Sequence, residues 1–232
     1  MAPRQVPSET EEVNRRATVI ALACACVGAL SSVALADNPQ LKPSALDQAT
    51  AKRAIVQLSD FTPGSGWTGG PTKPSSSSST KCNLDPKQSD LVQTAEAESS
   101  FKYKVPLFQI YSSATMYQNE NMAKLSWTRA KPGVLGFLRC LMTTSLPSNA
   151  TIVSVKPMSF PQVGSFRGAY RTIFDITSGS TKVPMIIDLA IFGSGRTLFS
   201  LIQFATYDSA AIFKAGEMRL ASAMAARSGF AA

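Results

Sequence analysis

Apolar and polar positions alternate most regularly between residues 165 and 205, where three long segments follow one another with only turn residues between them. In the first, Phe166, Tyr170, Thr172, Phe174 and Ile176 fall on one side, and Arg167, Arg171 and Asp175 on the other. A period of two marks a strand with one buried face; Ile173 breaks it. Ser178-Gly179-Ser180-Thr181 turns the chain into residues 183–192, apolar on both faces, and Ser194-Gly195 turns it again into residues 197–205. A central strand that is apolar on both sides must be covered on both sides. The pattern predicts a three-stranded antiparallel meander.

The register follows from the side chains, because a slip of one residue exchanges the two faces of a strand. Tyr170 is placed opposite Leu189, Phe174 opposite Met185 and Ile176 opposite Val183, which sets Arg171 opposite Asp188 on the reverse face. Across the second turn, Ile191 is expected to meet Leu198, Ile187 to meet Ile202 and Met185 to meet Phe204. On the reverse face Ile173, Ile186, Phe192, Phe199 and Leu201 surround Asp188, so one ion pair sits within an apolar surface.

Ahead of the meander, a helix is predicted over residues 44–59. Ser44 and Asp47 form an N-cap box, and Leu46, Ala49, Ala54 and Leu58 recur at helical spacing. Residues 68–80 are Gly, Pro, Ser, Thr and Lys, a composition that buries nothing and predicts a disordered loop. Two strands are expected around Lys104-Val105-Pro106, the second over residues 107–117. A short helix over 119–129 and another opened by Lys131-Pro132 follow; the latter carries Val134, Phe137, Leu138 and Leu141 on one stripe. Residues 150–158 alternate, with Ile152 out of phase with Val153 and Val155. A last helix, 208–227, presents Phe213, Leu220 and Met224 on one face. The class is α+β, an antiparallel sheet of about five to six strands with helices packed on it.

Composition then sets an address. The segment 1–36 carries Arg15-Arg16, an uncharged run over 17–36 and a final Ala34-Leu35-Ala36, which reads as a signal peptide cleaved before Asp37. The run is about 20 residues, long enough for an uncleaved membrane anchor instead. Residues 37–43 read as a tether, and 44–232 as a single domain. Arg4, Arg15 and Arg16 balance Glu9, Glu11 and Glu12, so the net charge of +8 resides in the remainder. That excess favours anionic surfaces, but its lysines and arginines are scattered singly, without the basic runs of a nucleic-acid reader. Beyond the leader, with its Cys24 and Cys26, only Cys82 and Cys140 remain. Two cysteines in an oxidising compartment pair; separate buried thiols are the alternative.

The chain has no histidine, which removes Ser-His and Cys-His nucleophiles, the commonest general base and most zinc sites. The acidic residues are dispersed, Glu96 and Glu98 alternating on a strand, and no cofactor or metal is implied. The expectation is a protein that is not an enzyme. Three features can bind. Trp67 stands between a helix and the Ser-rich loop, as a groove anchor or a plug at the core edge. Arg171 and Asp188 can hold an anionic head group, with Ile186, Phe199 and Leu201 taking its chain; otherwise they are a structural cross-strand pair. The 68–80 loop itself is the third, as a cover or a solvated spacer.

One phrase carries a resemblance. Leu58-Ser59-Asp60-Phe61-Thr62-Pro63-Gly64-Ser65-Gly66-Trp67, a Ser-rich loop, a cysteine, Arg139-Cys140-Leu141 and Gly168-Ala169-Tyr170-Arg171, in that order after a signal, resemble exported actinobacterial proteins. The order is similar to PknH-like sensor domains and LpqN-type lipoproteins, of PsbP-like α+β fold. The chain departs from them: it holds no kinase domain, Ala21-Leu22-Ala23-Cys24 sets the leucine of a lipobox one place late, and only one disulfide is available. The resemblance implies a non-catalytic module that senses or binds a component or protein of the cell envelope. The alternative expectation is a carrier of a lipid or other apolar ligand. Membrane contact is expected only through the N-terminal segment.

Overall fold

The computed structural model describes residues 38–74, 82, 87–104 and 108–229; the predicted signal or anchor lies outside them. In chain order the elements are β1 (Gln40–Leu41), α1 (Ala45–Ala54), β2 (Trp67–Thr72), β3 (Val92–Tyr103), β4 (Gln109–Tyr117), α2 (Glu120–Ala130) and α3 (Val134–Ser145). There follow β5 (Ala150–Pro157), β6 (Phe166–Ser178), β7 (Thr181–Ser194), β8 (Thr197–Thr206) and α4 (Ala210–Arg227). The strands form one eight-stranded sheet in the order β1-β3-β4-β8-β7-β6-β5, with β2 also on β3. All pairs are antiparallel except β1 with β3.

The class is therefore α+β as expected, with more strands than the five to six predicted. Two short strands make the difference. Gln40 and Leu41, within the expected tether, pair with Val92 and Gln93. Trp67–Thr72 enters the stretch expected to be a loop and pairs with β3 from Tyr103 to Glu98. Gly and Pro argue against a strand by propensity, but an exposed edge needs only one side of its backbone satisfied. At Gly69, φ is +140° and a Cβ would come within 2.1 Å of the Ser100 carbonyl oxygen, so only glycine lets β2 lie this close to β3.

The meander forms with the first register as predicted. Tyr170 faces Leu189, Phe174 faces Met185, Ile176 faces Val183 and Arg171 faces Asp188. The second hairpin differs from the expectation. Ser194 pairs with Thr197 around Gly195-Arg196, so Ile187 meets Phe204, Leu189 meets Ile202 and Ile191 meets Ser200. The shift is even, two residues, so every side chain keeps its predicted face. A two-residue turn with Gly195 at φ +56° suits the twist of a hairpin and fixes the register by its length.

Each face carries its own core. On one, Phe137, Leu141 and Met142 of α3 lie on Phe174, Ile176, Met185, Ile187, Ile202 and Phe204, and Trp127 of α2 packs with Tyr170 and Ile191. Gly168 makes this approach possible, since a Cβ there would lie 2.5 Å from the Trp127 ring. On the reverse face, Ala51 and Ala54 of α1, the Ile55 that follows it, and Leu220, Ala221 and Met224 of α4 cover Phe192, Phe199 and Leu201. The first and last helices thus share a face.

Helix α1 stops at Ala54 rather than running to Ser59. Ser44 is its N-cap, accepting from the Asp47 amide. Past Ala54 the backbone is drawn onto the sheet, where the Val56 amide donates to the buried Ser112 hydroxyl at 2.9 Å. Two ion pairs then pin the reverse-face helices. Arg196, in the β7–β8 turn, binds Asp47 through both guanidinium nitrogens, and Arg227 at the end of α4 binds Asp60 and the Ile55 carbonyl. Burial disfavours the ionised Asp47, but the Arg196 and Thr94 contacts outweigh it and hold the carboxyl below its ordinary range.

Candidate functional site

A row of polar side chains crosses the reverse face. Lys156 on β5, Arg171 on β6, Asp188 on β7 and Gln203 on β8 are successive cross-strand partners, so all of them point to the side that α4 covers. Lys156 reaches this row because of a β-bulge between Ile152 and Ser154. The extra residue lets Ile152 and Val155 both face the core on the other side and leaves Val153 58% exposed. The phase break at Ile152 seen in the sequence is this bulge. Without it Lys156 would point to the opposite face.

Arg171 Nε donates to Asp188 Oδ1 at 2.7 Å and Nη2 donates to Oδ2 at 2.5 Å, a bidentate pair using one edge of the guanidinium. The Asp188 side chain is 1% exposed and that of Arg171 25% exposed, so the pair is buried at its acidic end and open at its basic end. The Asp188 contact raises the arginine's pKa further.

Helix α4 brings a second carboxylate to the pair. Glu217 is 1% exposed and is pushed up to about 8, by burial first and then by the nearby Asp188 charge; Arg171 and Lys214 act in the opposite direction. Glu217 falls between Phe213 and Leu220 on the stripe read from the sequence as the helix's apolar face. An acid at an apolar-stripe position is the signal in the sequence that marks it. Lys214 and Lys156 carry no such signal, since each is an ordinary surface lysine until the fold sets it beside Arg171.

Beside this constellation lies an open depression of about 250 Å³, lined by Lys156, Arg171 and Lys214 with Met158, Ile173 and Pro157. Its wall is therefore cationic and its floor partly apolar. A second depression of about 240 Å³ opens on the sheet at Thr72, Glu98, Tyr111, Ser113 and Ser200. Ser113 and Ser200 share a hydrogen bond there at 2.7 Å. Among the described residues its lining is mainly hydroxyls, with one carboxylate, Glu98, and one cation, Lys73.

The other expected site residues are placed as follows. Ile186, Phe199 and Leu201 are buried, Phe199 and Leu201 under α1 and α4 and Ile186 among Ala205, Phe108 and Ile173. Trp67 stacks on Phe61, with centroids 4.6 Å apart, and leans on Tyr103. It sits on β2, with β3, β4, β8 and β7 between it and Arg171, so the structure does not bring it to the constellation. Cys82 and Cys140 stand at disulfide distance, Sγ to Sγ 2.10 Å and Cα to Cα 5.7 Å. The pair ties the chain after the Ser-rich stretch to α3.

Among the described residues no group of three or more His, Cys, Asp and Glu could hold a metal ion. Among the same residues no helix is long and apolar enough to cross a membrane. No family model, curated protein or solved structure matches this chain.

Proposed function

We propose that this chain is a non-catalytic, extracytoplasmic binding module of the cell envelope, and that it takes an anionic molecule with an apolar portion at the Arg171 depression. The observation that carries the reading is the convergence of Lys156, Arg171 and Lys214 from β5, β6 and α4 around one concavity floored by Met158, Ile173 and Pro157. Cations on separate elements repel one another and are kept together at a cost that an anion offsets. The bidentate bond to Asp188 fixes the guanidinium, so the site is preorganised. The leader read from residues 1–36 supports export, and the order of phrases shared with PknH-like and LpqN-type proteins agrees with an envelope role.

A carrier that encloses a lipid chain is the weaker reading. Such a carrier needs room between sheet and helices, and here the sheet's two faces are packed against α1, α4 and α2, α3. Octyl sulfate, a permanent anion with a short chain, tests the proposed site by titration calorimetry against octanol. Octyl sulfate is expected to bind more tightly, and Lys156→Ala with Lys214→Ala to weaken it at least tenfold while leaving the melting temperature in place. Equal binding of octanol and octyl sulfate, or no effect of the double change, refutes the reading.

A further inference from the structure

Glu217 does not line the depression, yet it is buried one turn along α4 from Lys214, which does. Its neighbours are specific: Asp188 from β7, Arg171 from β6 and Lys214 one turn earlier on α4, with Lys156 of β5 completing the adjacent wall. Gln203 of β8, the neutral end of the polar row, carries no charge. Asp188 already receives both bonds from Arg171. The face thus holds two buried carboxylates, and the Arg171 guanidinium binds one of them, Asp188.

We propose that anion binding at the depression is coupled to protonation of Glu217, so that the ligand enters together with a proton and leaves when that proton is lost. This rests on the site reading above. The physical basis is that Arg171 and Lys214, the two cations that favour ionised Glu217, also line the depression. An anion seated there screens both, so the Glu217 carboxyl is harder to ionise while the ligand is bound. By linkage the converse holds: ionised Glu217 weakens the anion's hold on the same cations. Burial places the titration of the empty site at about 8, above the usual carboxylate range. The module would therefore release its ligand in a mildly alkaline surrounding and hold it in a neutral or acidic one. The proton balance is simple: in molecules whose empty site holds ionised Glu217, a proton passes from solvent to a Glu217 oxygen on binding and returns on release.

Octyl sulfate is again the probe, since its charge does not change over the range used. If binding raises the Glu217 pKa by about one unit, the affinity falls about five- to tenfold between pH 7 and pH 9.5. Calorimetry at pH 8 in buffers of different ionisation enthalpy should show proton uptake on binding by the unmodified protein. Glu217→Gln, which keeps shape and removes the charge, should bind at pH 9.5 as tightly as at pH 7. Binding by the unmodified protein that is independent of pH, with no proton uptake, overturns the coupling and leaves the site reading standing. A pH dependence that survives in Glu217→Gln also overturns the coupling. Absence of octyl sulfate binding at every pH overturns both.

Discussion

Replacing Arg171 by leucine separates structural from binding roles. The change removes both hydrogen bonds to Asp188 and leaves a carboxylate that is 1% exposed without its partner, beside Glu217. Breaking a fully buried pair in this way costs about 3 to 5 kcal/mol, most of it the desolvation of the remaining charge. Arg171 is itself 25% exposed, so water can enter where the guanidinium stood, and the cost falls at the lower end, about 3 kcal/mol. For a domain of this size that is a drop of roughly 6 to 12 °C in melting temperature. The double change Arg171→Leu with Asp188→Leu removes both charges from an apolar face and should recover much of the loss, since well-packed apolar replacements of buried pairs are close to neutral. Urea unfolding at pH 7 of the unmodified protein, both single variants and the double variant closes the cycle. The double variant should fold and bind octyl sulfate more weakly, through loss of one of the wall's cations. A single-variant cost below about 1 kcal/mol, or a double variant no more stable than the single, would show that the pair is not buried as described.

Two further outcomes can be measured. Glu217 has a folded pKa raised by burial and Asp188 from 4.5 to about 8. The native state therefore keeps a proton that the unfolded chain has released across that window, and its contribution to stability is present below the lower value and lost as pH rises to the upper one. Glu217→Gln should lack that decline and gain on the unmodified protein as pH rises, most clearly at pH 8 and above, whereas parallel urea-midpoint curves between pH 5 and 9 would contradict the assignment. The cysteine pair closes a loop with a sequence separation of 58, so Cys82→Ala with Cys140→Ala should cost about 4 kcal/mol on the loop-entropy account; labelling of both thiols in the folded, unreduced protein would refute the bond.

The alternation of residues 165–205 was enough to determine the meander, the faces of its strands and the Arg171–Asp188 pairing, because a period of two assigns each side chain to a face and burial penalises the other choice. Capping chemistry likewise placed the start of α1 at Ser44. Where local pattern was weak, tertiary contact decided. Residues 67–72 are a strand only because β3 offers an edge to pair with, and α1 ends early because the sheet draws Val56 onto Ser112. The register of β7 on β8 was missed by two residues since pattern fixes the face and not the position along it, which the length of the turn supplies.

The candidate site divides in the same way. Arg171 and Asp188 lie on neighbouring strands of a hairpin, near in sequence, and local register brought them together on paper. Lys156 needed the bulge in β5, and Lys214 and Glu217 needed α4 to fold back across the same face. No periodicity relates the β5 and α4 positions to the Arg171–Asp188 hairpin. Their chemistry is a product of distance and burial in the folded chain: the lysines acquire meaning from each other's charge, and Glu217 acquires its raised pKa from the loss of water around it.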